Sequence, residues 1–164
     1  MIEAIVRRLL NKATIVYKAN LTPIVYHIRI QSESIKKATY IPGNFLRIAN
    51  GIDNESLPFK DKIRSYSVWN LDSKEGTIDL AVATESNGPG AQWATQCKVG
   101  DAVYFAWHKS KFLVDDSADS YLPIGDLSTL AQIYELKRNL SPEKTAKSIV
   151  YSLNIYVLFA EING

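Results

Sequence analysis

Arg64, Tyr66 and Ser67 lie within the run Arg64-Ser65-Tyr66-Ser67-Val68-Trp69. In an extended strand, residues two apart share a face, so this spacing sets an always-charged guanidinium beside a large flat ring, with a hydroxyl next to them. A guanidinium offers a planar fork of donors that matches a phosphate, and a tyrosine ring can stack on or flank a planar heterocycle. Further along, Gly88-Pro89-Gly90-Ala91-Gln92-Trp93-Ala94 reads as a loop opening directly into a helix. Proline suits the first helical turn and glycine lets a ligand approach the backbone closely. Free N–H groups and the positive end of the helix dipole then favour an anion, each by ~0.3–1 kcal/mol when exposed. The two segments together point to a flat, aromatic, phosphate-bearing ligand.

Plainer readings of the same residues stay open at this level. Arg64 can be a surface ion-pair partner, Tyr66 a core ring, and Trp93 a plug at one end of a barrel. His27, flanked by Tyr26 and Ile28, reads as structural, whereas His108 beside Lys109 and Lys111 is a candidate ligand contact. Gly125-Asp126 before Ser128 is either a nucleotide-handling turn or a helix cap, and it lacks a Gly-x-Gly-x-x-Gly fingerprint. No His, Asp or Glu residues stand at metal-ligand spacing, and no nucleophile–base set can be assembled. Asp115, Asp116 and Asp119 read as a solvated linker.

The elements that must position these groups are short strands. Residues 2–11 carry apolar side chains at helical spacing and predict an amphipathic helix. Strands are predicted over Ala13–Tyr17, Ile24–Gln31, Phe45–Ile48, Ser65–Leu71, Thr77–Ala83 and Asp101–Trp107, each bounded by Gly, Pro or Asn turn signals. Six such strands with one helix inserted late predict a mainly β chain built on a small antiparallel barrel. After Asp116 the pattern changes. A strand over Ser120–Ile124, a helix over Ser128–Asn139 and a long strand over Ile149–Phe159, with a bend expected near Ser152, make one βαβ unit, the opening of a parallel α/β sheet. The expected division is 1–114 for the barrel and 115–164 for the βαβ piece.

Composition narrows the function classes. The 164 residues are 46% hydrophobic and 22% charged, with a formal net charge of +2 and no basic run, which argues against a nucleic-acid partner. The single Cys97 excludes an intrachain disulfide. Glu3, Arg7 and Arg8 interrupt the N-terminal apolar stretch, and no apolar run approaches the ~20 residues of a bilayer span, so no membrane association and a cytoplasmic location are expected.

Arg64-Ser65-Tyr66-Ser67 resembles the Arg-x-Tyr-Ser/Thr signature of ferredoxin-reductase-like flavoproteins. The more specific likeness is to the siderophore-interacting, FAD-dependent ferric-siderophore reductases. Tyr40-Ile41-Pro42-Gly43-Asn44-Phe45 resembles their Pro-Gly entry to a barrel strand. Gly88 to Ala94, followed by Gly100-Asp101, resembles their Gly-Pro-Ala-x-x-Trp-Ala…Gly-Asp segment. Tyr121 to Leu130 resembles the first strand and turn of their nicotinamide-nucleotide domain.

The resemblance implies an FAD-binding barrel followed by a shortened NAD(P)-type domain. It implies FAD held by Arg64, Tyr66, Ser67, Val68, Thr84, Gly88, Pro89, Gly90, Ala91 and Trp93, with Ser67 presenting its hydroxyl or N–H to the redox-active edge of the flavin. It further implies NAD(P)H as hydride donor and a ferric siderophore or similar chelate as electron acceptor, iron arriving only inside the chelate. Three positions depart from the family pattern. Thr84-Glu85 replaces a His-Gly pair, Trp107-His108-Lys109-Ser110 replaces a Gly-Pro-x-Gly segment, and only the first βαβ unit of the NAD(P)H domain is represented. The alternative expectation is therefore a non-catalytic flavin-binding or interaction module. An apolar face left bare on the βαβ piece would make a homodimer.

Overall fold

The computed structural model describes residues 8–52, 56–58, 61–111, 113–152 and 154–162. Of the helix expected over residues 2–11, Arg8 to Asn11 fall within these residues; Arg8 and Leu9 are helical, and Asn11 already begins the first strand.

Seven strands form the main sheet: β1 (Asn11–Thr22), β2 (Val25–Gln31), β3 (Phe45–Ile48), β4 (Arg64–Ser67), β5 (Asn70–Asp72), β6 (Thr77–Ala83) and β7 (Ala102–His108). Their order is β4-β3-β7-β1-β2-β6-β5, and every neighbouring pair is antiparallel. The fold is therefore the mainly β barrel that the short strands and turn signals predict. The expected strand Ser65–Leu71 is two strands, and the difference explains how the sheet curls into a barrel. β4 and β5 are successive parts of one chain segment yet lie at opposite ends of the sheet order, so the kink at Val68-Trp69 carries the chain from one edge to the other. Strand alternation survives the kink. Val68 faces the barrel interior at 1% exposure, while Trp69, at 2%, is buried in a second cluster outside the barrel.

The interior holds Ile15, Ile28, Ile30, Leu46, Ile48, Ile78, Leu80 and Phe105, all fully buried. These isoleucine, leucine and phenylalanine side chains come from alternate positions of β1, β2, β3, β6 and β7. A one-turn helix α1 (Glu33–Lys36), capped by Ser32, follows β2. Helix α2 (Pro89–Gln96) follows β6 and seats Ala94 against the same core.

Residues 120–151 form the βαβ unit. Strands β8 (Ser120–Tyr121) and β9 (Ile124–Asp126) lead through a 3₁₀ turn into helix α3 (Leu130–Arg138), and β10 (Thr145–Ala146) and β11 (Ile149–Tyr151) return. Thr145 pairs with Ser120 and Ile149 with Ile124, both in parallel, so the two short ladders share one register interrupted at Pro123. The predicted strand over Ile149–Phe159 is corrected: it ends at Tyr151, and Ile155–Val157 is a 3₁₀ turn. β9 stops at Asp126, so later residues have no strand to pair with. Ser152 and Asn154 then bond locally, the Ser152 hydroxyl donating to the Asn154 carbonyl and accepting from the Asn154 N–H. The chain turns back, and Val157 and Phe159 bury themselves against Trp69, Val25, Leu127, Leu130 and Ala131. This second cluster joins the barrel wall to the βαβ unit.

No helix of the described residues is long and apolar enough to cross a membrane.

Candidate functional site

β4 and β6 are not joined by a ladder, and the seam between them opens into a cleft of about 390 Å³. Arg64 to Ser67, Ala81 to Ala83 and Gly88 to Ala91, the start of α2, line it, together with Ser128 and Thr129 of the 3₁₀ turn before α3. The two segments singled out in the sequence therefore meet, because β6 and the turn after it deliver α2 to the open edge of β4.

The start of α2 is shaped for a close-approaching anion. Gly88 is its cap and supplies no side-chain hydrogen bond, and Pro89 has no N–H to satisfy. A Cβ on Gly90 would lie 3.0 Å from the Tyr66 Oη and 3.7 Å from the Arg64 Cγ, so glycine keeps open the space that these side chains border. The start of α3 differs. There the Asp126 carboxylate accepts from the Ser128 N–H at 2.9 Å and from the Ser128 hydroxyl at 2.6 Å, so this helix end carries its own anion. The Gly125-Asp126 turn is a cap. Gly125 leaves room for Thr129, since a Cβ there would fall 1.9 Å from the Thr129 Oγ1.

The plainer readings of Arg64 and Tyr66 match the contacts these two residues make. Arg64 donates from Nη2 to Asp61 Oδ1 at 2.7 Å, a pair about one-third exposed. Tyr66 is 9% exposed, packs its ring 5.3 Å from that of Trp93, and accepts from Asn50 Nδ2 at 2.7 Å. Burial pushes the Tyr66 phenol well above its ordinary range, so it is a neutral donor at any working pH. Ser67, like Arg64, is partly exposed, and its hydroxyl lies 3.3 Å from the Gln132 Oε1.

Three expected contacts lie elsewhere. Val68 is in the barrel core. Thr84 donates to the Ile24 carbonyl at 3.0 Å and is absent from the cleft wall, as is the exposed Glu85. Trp93 lines a second cavity of about 970 Å³, which meets the cleft at Pro89. That larger cavity, bordered by Asn50, Gln92, Gln96 and Asp101, has no cation among its described lining residues. The smaller cleft is the better match to a phosphate-bearing ligand because it combines Arg64 with an uncapped helix start. His108 stacks on Phe45, ring centroids 4.9 Å apart, outside the cleft wall. His27 is structural, in contact with the buried Asp79, which also accepts from Arg29 and Asn70. Among the described residues no group of three or more His, Cys, Asp or Glu could hold a metal ion.

Sequence reading missed Ala81 to Ala83, Ser86, Thr129 and Gln132. Nothing local marks them, because their place depends on which strand faces β4 and on where α3 docks.

Residues 48–108 match the siderophore-interacting FAD-binding domain, a segment that contains both motifs. No curated protein matches the chain. Among solved structures, the siderophore-interacting protein of Acinetobacter baumannii is similar with a TM-score of 0.77 at 16% identity, over 90% of this chain and 60% of that one. The siderophore-interacting protein of Aeromonas hydrophila gives 0.71 at 14% identity, over 93% and 66%. The ferredoxin-NADP+ reductase of Plasmodium falciparum gives 0.69 at 18% identity, over 93% and 62%. The fold is that of ferredoxin-reductase-like flavoproteins, and the chain spans about three-fifths of the length of the siderophore-interacting proteins it matches.

Proposed function

We propose that this chain binds FAD in the cleft between β4 and β6 and serves as a flavin oxidoreductase of the siderophore-interacting type. The observation that carries the reading is the meeting of Arg64, Tyr66 and Ser67 with the uncapped Gly88-Pro89-Gly90-Ala91 helix start. Arg64 and the first amides of α2 would hold the pyrophosphate, and the Tyr66 hydroxyl would donate to the same ligand. Ser67 would lie along the flavin edge. When bound, FAD supplies the exchange between hydride and single-electron chemistry; the protein orients it and excludes water. In this reading residues 1–114 form the flavin domain, and residues 115–164 belong to a nicotinamide-nucleotide domain. The reductant is NAD(P)H and the acceptor a ferric siderophore or similar chelate.

The test is uptake of FAD by the purified protein, followed by flavin absorbance and fluorescence. Stoichiometric uptake, with bleaching on NAD(P)H and recovery on a ferric chelate, is the expected result. Uptake without bleaching would leave a flavin-binding module; no uptake at micromolar FAD would overturn the assignment.

Leu122, Ile124, Ile149 and Tyr151 are each more than half exposed on the βαβ ladder, an apolar face of the kind that partners cover. A second copy of the chain is the proposed cover. Sedimentation at micromolar concentration should find a dimer that the change Ile149→Lys dissociates; a monomer would rule it out.

A further inference from the structure

Helix α3 reaches across to the barrel at one residue of the loop before β3. Gly43 donates its N–H to Glu135 Oε2 at 3.2 Å, and its carbonyl accepts from Gln132 Nε2 at 3.2 Å. Gln132 and Glu135 stand three apart and so share a face of the helix. Gly43 itself has φ 94°, a left-handed conformation suited to glycine. The other end of the Gln132 side chain, Oε1, lies 3.3 Å from the Ser67 hydroxyl on the cleft wall.

The chemistry of these atoms allows only one direction for the chain of bonds. A backbone carbonyl only accepts, so the amide group that faces Gly43 must be the NH₂. That leaves the carboxamide oxygen toward Ser67, and an oxygen of that kind also only accepts. The Ser67 hydroxyl must therefore donate its single hydrogen to Gln132, and only its lone pairs remain for the cleft. We infer that Gln132 is a positioning residue that turns Ser67 into an obligate acceptor toward the flavin and so raises the reduction potential of the bound cofactor.

This inference rests on the proposal that the cleft holds FAD with Ser67 at its redox-active edge. The edge nitrogen of an oxidised isoalloxazine is itself an acceptor and meets lone pairs unfavourably. In the two-electron-reduced ring the same nitrogen carries a hydrogen and can donate to Ser67. An acceptor fixed at this place favours the reduced form. A freely rotating hydroxyl would serve both forms and lose that bias.

The measurement is the midpoint potential of the FAD-loaded protein, titrated against a reference dye, with thermal melts as the check on folding. Gln132→Met should shift the potential to a more negative value, because the freed hydroxyl can then donate to the oxidised ring. Ser67→Ala should also shift it negative, and adding Gln132→Met to Ser67→Ala should produce no further change. An unmoved potential in Gln132→Met, or an equal shift with Ser67 already removed, would overturn the role given to Gln132. Should Gln132→Met fail to fold, Ser67→Ala alone decides: a positive or absent shift would mean that Ser67 is not an acceptor. Wild-type protein that takes up no FAD would instead defeat the cofactor assignment, and this inference with it.

Discussion

Arg64 is the residue on which ligand affinity and stability should separate most clearly. Its bond to Asp61 is a surface pair, worth ~0–1 kcal/mol to the fold. A charge-assisted bond to a phosphate within the cleft contributes about 1.5–3 kcal/mol, and each 1.4 kcal/mol is tenfold in affinity. Arg64→Ala should therefore weaken FAD about tenfold or more, leave riboflavin affinity unchanged, and barely move the melting temperature. Asp61→Asn should strengthen FAD binding, since it frees the guanidinium from a competing carboxylate. Fluorescence titrations with both flavins check this, and equal losses for FAD and riboflavin would show that Arg64 does not meet a phosphate. Its spacing to Tyr66 is what singles it out in the sequence. Its hold on Asp61 was not legible there, because the turn that brings Asp61 back onto Arg64 carries no signature of its own.

At the scale of elements, α3 is held to the barrel by a buried acid. Glu135 is 3% exposed, and burial raises its pKa above the ordinary 4.5, against the opposing effect of hydrogen bonds that stabilise its anion. The folded state thus keeps a proton that the unfolded chain has already released, and stability falls as pH rises from about 4.5 through the folded value. Glu135→Gln keeps an oxygen for the Gly43 N–H and removes this loss. Its melting temperature relative to wild type should rise across that window and then level off; a constant difference across pH would contradict the placement of the charge. Asp79 behaves in the opposite sense. Burial pushes its pKa up, but bonds from His27, Arg29 and Asn70 outweigh burial and hold it below 3.8, so its contribution is lost only as pH falls below that value. The strands themselves were readable, with Thr77–Ala83 and Phe45–Ile48 found at the expected residues. The run from Ile149 to Phe159 was misread because apolar residues around Ser152 and Asn154 look the same whether they pair in a ladder or pack as a turn.

For the whole molecule, the decisive feature is that barrel and βαβ unit share a core. Phe159, 6% exposed, packs its ring 5.3 Å from Trp69 and 6.0 Å from Tyr134. Phe159→Ala should cost about 3–5 kcal/mol, as truncation of a buried aromatic ring does. Calorimetry should show one lowered transition for the entire chain, and acrylamide should quench Trp69 fluorescence more readily. Two separate transitions would mean that the shared cluster does not couple the parts. Composition, strand periodicity and two short motifs carried the barrel and the βαβ order and singled out the residues proposed to meet a ligand, because those depend on neighbours a few residues apart. Which strand faces β4, where Thr84 and Trp93 end up, and how Gln132 comes to hold Ser67 depend on contacts between residues far apart in sequence. Loop closure and shared burial select those contacts, and they exist only once the chain has folded around one core.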